Sequence, residues 1–253
     1  TWASGLTSSG GSLLKSGLGT LTLSGDNSYS GSTTLSVGNL TLSGNNSTSG
    51  AININAGVLS LGSANAIGSL GSMGTISFGG GTLQYSSSNQ IDYSSRLSGA
   101  SGQAFKVNTN GRIVTWASNL TNASSSITKS GSGTWTVGVL NLANAIINEG
   151  TFNATSITIS GTNSIGGTIS TTGAVSFSGA TALVRDTTIT SSNNTVSFGS
   201  TINGEYELII NAGSSTASFA GAIGGTTPVA RFEVNASSGI NIGGNITTVM
   251  GLS

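Results

Sequence analysis

The chain has no cysteine, no histidine and a single proline in 253 residues, and its seven Lys+Arg and seven Asp+Glu make up only 6% of it. Each shortage removes a class of chemistry. Without cysteine there is no disulfide framework, thiolate metal site or thiol nucleophile. Without histidine there is no Ser-His-Asp triad and no imidazole metal site. Charged residues make up roughly 25% of ordinary soluble domains, so a share this low argues against an ordinary globular enzyme. The two signs balance, which leaves no basic field for nucleic acid and no acidic tail, and no nucleic-acid partner is expected. Uninterrupted apolar runs are four residues or fewer, far below the ~18 that would span a bilayer, so no transmembrane segment is expected. The chain opens on TWASG with neither Met nor a charged leader, which reads as a piece of a longer protein whose export signal lies elsewhere.

What remains is strand and turn material. Forty glycines are mixed with Ser, Thr, Asn, Val, Ile and Leu, a palette of extended segments and tight bends with nothing that favours long helices. It is also periodic. TLTLSGDN at 20–27, NLTLSGNN at 39–46 and VLSLGSAN at 58–65 follow one another at nineteen-residue steps, and AVSFSGA (174–180), TVSFGST (195–201) and TASFAGA (216–222) at twenty-one. Within each unit apolar residues alternate with small polar ones, as in a strand buried on one face, and the Gly or Asn that follows supplies a bend. About twenty residues of strand and turn make one rung of a parallel β-solenoid, and a rung buries its apolar face only by stacking on the next.

The spacing therefore predicts an all-β, right-handed parallel β-helix of about 12–13 rungs at 19–21 residues each. It predicts apolar columns Leu23/Leu42/Leu61 and Phe177/Phe198/Phe219, with Ile242 succeeding Phe219, and an amide ladder Asn27/Asn46/Asn65. Scarce charge follows from the same geometry, because like charges on adjacent rungs would lie about 5 Å apart. A longer repeat overlies the short one: residues 1–23 match 115–137 with 13 identities and no gap, Trp2 falling on Trp116. Two modules are expected, 1–114 and 115–253, the second continuing the same solenoid. No helix or charged cap is evident at Thr1 or Ser253, so the ends are expected to continue into further modules or to stack head to tail.

Residues 15–44, with Lys15, Gly17, Gly19, Thr20 to Gly25, Asn27, Tyr29, Gly31, Thr33, Gly38, Leu40 and Leu42 in place, resemble the autotransporter-associated β-strand repeat, also called the passenger-associated transport repeat, of bacterial surface proteins. Residues 79–99 look like the tail of a preceding unit, and 107–135 are similar to the lead-in of a repeat. The second copy departs after Thr136, lacking the Tyr-x-Gly of the first. From about 150 onward the text resembles the repeats of large haemagglutinin-like exoproteins. The resemblance implies a scaffold on the cell surface or secreted. It also implies a part in passenger folding and passage across the outer membrane.

Chemistry-bearing residues are few. The acids are Asp26, Asp92, Glu149, Asp186, Glu205, Glu207 and Glu233. Glu205 and Glu207 have the spacing of one strand face and read as a solvated edge flanking Tyr206, and Arg185–Asp186 as a surface ion pair. SGDN at 24–27 occurs once, unlike a calcium-binding nonapeptide array, and SFGGGTLQY lacks the Lys-Ser/Thr of a phosphate loop. Segment 85–113 gathers Tyr85, Asp92, Tyr93, Arg96, Lys106 and Arg112; it reads as a module junction or as an irregular rung projecting for contact. No catalytic, cofactor-binding or metal residue is assigned, and no enzymatic activity is expected.

The function expected is a non-catalytic structural or adhesive module of a bacterial cell-surface or secreted protein, assembling end to end with other modules or copies into a fibre. Surface glycans and host or neighbouring cell surfaces are further expected partners. One alternative is a polysaccharide-binding or polysaccharide-degrading β-helix. Another is an array of immunoglobulin-like sandwiches of ~100 residues, whose core tryptophan Trp2 and Trp116 would supply.

Overall fold

The computed structural model of the protein describes residues 1–68 and 74–250; Ser253 lies outside them. Two compact units divide the chain, Thr1–Ala117 and Ser118–Ser253. Both are stacks of parallel strands, and together they hold about 11 turns of β-solenoid with essentially no helix. Among the described residues no helix is long and apolar enough to cross a membrane.

In the first unit one wall is built from strands Thr20–Leu23, Asn39–Leu42, Val58–Leu61, Thr82–Gln84 and Ala104–Asn108, each parallel to the one before. A second wall carries Leu13–Lys15, Thr33–Leu35, Ile52–Ile54 and Ile76–Phe78. Alternation decides which side chains go in. Leu23, Leu42 and Leu61 stack in register and are buried, as the nineteen-residue period required. Leu40, Leu59, Leu83 and Val107 form the neighbouring buried column.

In the second unit a turn runs through strands such as Asn144–Ile147 and Thr151–Ile159, the latter pairing along two stretches. One buried column runs Trp135, Phe152, Ile169, Ile189 and Ile210, with Val234 succeeding it in register. Beside it, Phe177, Phe198 and Phe219 stack with centroids 5.3 and 5.6 Å apart, and Phe232 closes edge-on over Phe219 at 5.1 Å. Ile242 does succeed Phe219 in register, though it is 45% exposed. Burying each ring contributes about 1.5–3 kcal/mol, with about 1 kcal/mol more from ring-on-ring geometry.

Turn length is not constant, and this lowers the count below the 12–13 obtained by dividing length by period. Trp135 to Phe152 and Phe152 to Ile169 are steps of seventeen residues, whereas Ile54 to Phe78, Leu83 to Val107 and Ile210 to Val234 are steps of twenty-four. The columns stay aligned through the longer steps, so the stacking tolerates the extra residues. The parallel in-register ladders also rule out the immunoglobulin-like alternative, whose sheets are antiparallel.

Candidate functional site

Several ionisable side chains hold the main chain of a neighbouring turn. Asp26 accepts the N–H of Asn45 one turn on at 2.7 Å. Asp92 accepts from Ser94 and from Ala117, both at 2.8 Å. Glu149 accepts the N–H of Gly131 at 3.0 Å. The sequence reading of Arg185–Asp186 as an ion pair is corrected here: Asp186 accepts the N–H of Glu207 at 3.0 Å, and Arg185 stands exposed. Glu205 lies in a bend ahead of the strand that Glu207 begins, so the two do not share a strand face. Glu207 instead sits in register with Arg231, which pairs with Glu233 at 2.5 Å. Among the described residues, no three His, Cys, Asp or Glu side chains are grouped so as to hold a metal ion.

Sequence reasoning missed the two lysines that repeat at the 114-residue offset. Lys15 and Lys129 point inward, 8% and 0% exposed. Lys129 Nζ donates to the carbonyls of Gly131 and Glu149, both at 2.7 Å. Lys15 Nζ donates to the carbonyl of Gly17 and to that of Val37 at 3.1 Å. In each copy the ammonium neutralises carbonyl oxygens that converge where two consecutive turns bend. Burial pulls the Lys129 pKa down to about 8, against the opposing pull of Glu149. The signal was present in the sequence as the repeated Lys-Ser-Gly of 15–17 and 129–131.

Segment 85–113 is not a projecting contact rung. Tyr85 and Tyr93 are fully buried and Arg96 is 6% exposed. Arg96 donates to the carbonyl of Ile67 at 2.9 Å and twice to that of Gly74 at 3.2 Å, with its guanidinium 5.8 Å from the Tyr93 ring centre. Asn89 donates to the Tyr93 hydroxyl at 2.8 Å, and the Trp116 indole donates to the Tyr85 hydroxyl at 2.8 Å. Burial raises both tyrosine pKa values and lowers that of Arg96. Polar residues that look like surface text are here the interior of an irregular turn, because each finds a partner. Lys106 is half-buried and Arg112 is exposed.

The amide ladder forms with one slip. Asn46 Oδ1 accepts both the N–H and the Nδ2 of Asn27, at 2.9 and 2.6 Å, and Asn46 Nδ2 donates to the Ala66 carbonyl at 2.6 Å. Asn65 does not take the third place. It sits one residue outward and donates to Asn45 Oδ1 at 2.6 Å.

Outward faces carry hydroxyls and amides in columns. Thr22, Thr41, Ser60, Gln84 and Asn108 are in register in the first unit, and Thr136, Asn153, Ser170, Thr190, Asn211 and Asn235 in the second. A shallow trough of about 580 Å³ runs over Ser176, Ser197, Ser218 and Asn241.

Residues 13–39 and 37–61 match the passenger-associated-transport-repeat family. Those stretches carry the autotransporter passenger repeat. Their parallel strands Leu13–Lys15, Thr20–Leu23, Thr33–Leu35, Asn39–Leu42, Ile52–Ile54 and Val58–Leu61 show what the repeat builds, a turn with a Lys-clamped or Gly-lined corner. The match spans residues 13–61, under half of the chain. No curated protein and no solved structure matches the chain.

Proposed function

We propose that the chain is a non-catalytic structural and adhesive module of a bacterial surface or secreted repeat protein, presented outside the outer membrane and joined end to end with further modules or copies into a fibre. The observation that carries this reading is where the charge goes. Asp26, Asp92, Glu149 and Asp186 accept main-chain N–H groups, and Lys15, Lys129 and Arg96 donate to main-chain carbonyls. Groups committed in this way hold the main chain of neighbouring turns. The passenger-type repeat at 13–61 supports the surface location.

A polysaccharide-binding role is the second reading, favoured by the trough and its regular hydroxyl columns, which offer many weak contacts along an extended chain. Display of the chain on cells through a carrier barrel tests the proposal. Displaying cells should attach to one another or to glycan-coated surfaces more than cells carrying the barrel alone. The purified chain should release no new reducing ends or unsaturated uronates from acidic and neutral polysaccharides. Catalytic release of such products would overturn the non-catalytic reading.

A further inference from the structure

Trp2 and Trp116 occupy the same place in the long repeat, yet one is buried and the other is not. Trp116 is fully buried. Its ring lies against Phe78 at 6.1 Å and Phe105 at 6.3 Å, and its Nε1–H reaches the Tyr85 hydroxyl at 2.8 Å. Phe78, Phe105 and Tyr85 all come from the forty residues that precede it. Ala117, the next residue, is held by Asp92 from the same stretch. Trp2 has its main chain built in the same manner as a turn of solenoid, with a parallel bridge to Leu23 and bonds from Trp2 N–H to Thr22 and from Ser24 N–H to Trp2, at 2.7 and 2.9 Å. Trp2 is nevertheless 55% exposed.

We infer that the face around Trp2 is a docking seat for a β-solenoid turn of the kind formed by residues 74–114. Such a turn offers an aromatic floor, as Phe78 and Phe105 do, a phenol oxygen to accept the indole N–H, as Tyr85 does, and a carboxylate to cap the following amide, as Asp92 does. The internal repeat is the argument: the chain shows once, around Trp116, what covers this surface. An exposed indole here forgoes the burial that the covered copy gains. The inference deepens the proposed function and rests on its end-to-end joining, since it names the turn that the joint requires.

The test places a second copy of residues 1–114, carrying W2F in the added copy, ahead of Thr1 of the full chain. The junction then reads Ile-Val-Thr-Trp-Ala-Ser, as at 113–118. In the 253-residue chain acrylamide should quench one exposed tryptophan, assigned to Trp2 by its loss in W2F. In the extended protein that quenching should fall several-fold and the emission should shift to the blue. F105S together with Y85S in the added copy should restore quenching, and the milder Y85F should restore part of it with packing kept. Trp2 staying as quenchable as before would overturn the inference. An added copy that stays unfolded would also overturn it, because its sequence and its joint repeat those of the natural chain. If raising the concentration of the natural chain alone protects Trp2, the seat takes another copy's end instead, which again contradicts the turn named here. Cell attachment is read separately, so its loss leaves the seat standing, and loss of the seat leaves the surface role standing.

Discussion

An ammonium buried among aliphatic side chains is costly unless acceptors replace water, and Lys129 keeps two carbonyls at 2.7 Å for that purpose. Its lowered pKa fixes the sign of a pH effect. Between about 8 and the ordinary 10.5 the unfolded chain binds a proton that the folded chain has lost, so stability rises with pH by at most about 1.4 kcal/mol per unit. From pH 10 upward the raised pKa values of Tyr29, Tyr85 and Tyr93 act the other way, because these phenols ionise in the unfolded chain first. Denaturant midpoints measured from pH 7 to 10 should therefore climb in the natural chain and stay flat in Lys129→Met. At Asn46 the effect is on stability at every pH. Asn46→Ala leaves the N–H and Nδ2 of Asn27 without their acceptor, and urea unfolding should show a loss of about 3 kcal/mol. The place of these residues was legible in the repeats. The inward direction of the lysines was not, since a charged residue in a strand reads as outward-facing until its acceptors are known.

A strand or corner in this fold is shaped by the turn beneath it, and the glycines show how closely. Gly57, at φ +75°, would bring a Cβ to within 1.8 Å of the Gly38 carbonyl oxygen. Gly57→Ala should therefore cost more than about 3 kcal/mol through combined clash and left-handed strain. Gly99→Ala, with open space around the added carbon, should be nearly neutral in the same thermal-melting comparison. The leucine and phenylalanine columns were legible because stacking returns identical residues to identical places. Asn65 fell outside its column because the corner after Leu61 holds one more residue than those before it, a slip that the aligned text hides. The turns of seventeen and twenty-four residues were hidden for a related reason: corners absorb insertions, so spacing between columns varies while the columns persist. Of the two readings of segment 85–113, the projecting rung failed because Tyr, Asp and Arg carry no sequence mark that separates a solvated loop from a hydrogen-bonded interior.

At the scale of the whole molecule, the account holds that consecutive turns lie directly on one another in parallel register, in each of the two units. A chain without cysteine allows this to be read by paired cysteines on outward positions, since parallel neighbours stand about 4.8 Å apart, within the reach of a disulfide. The central measurement is oxidative cross-linking of three such pairs: Thr22→Cys with Thr41→Cys, nineteen apart; Asn153→Cys with Ser170→Cys, seventeen apart; and Thr190→Cys with Asn211→Cys, twenty-one apart. All three should close rapidly in the folded chain, while pairs displaced by two residues along one strand should close far more slowly. Failure of the in-register pairs, or equal closure of the displaced ones, would contradict the stacked solenoid.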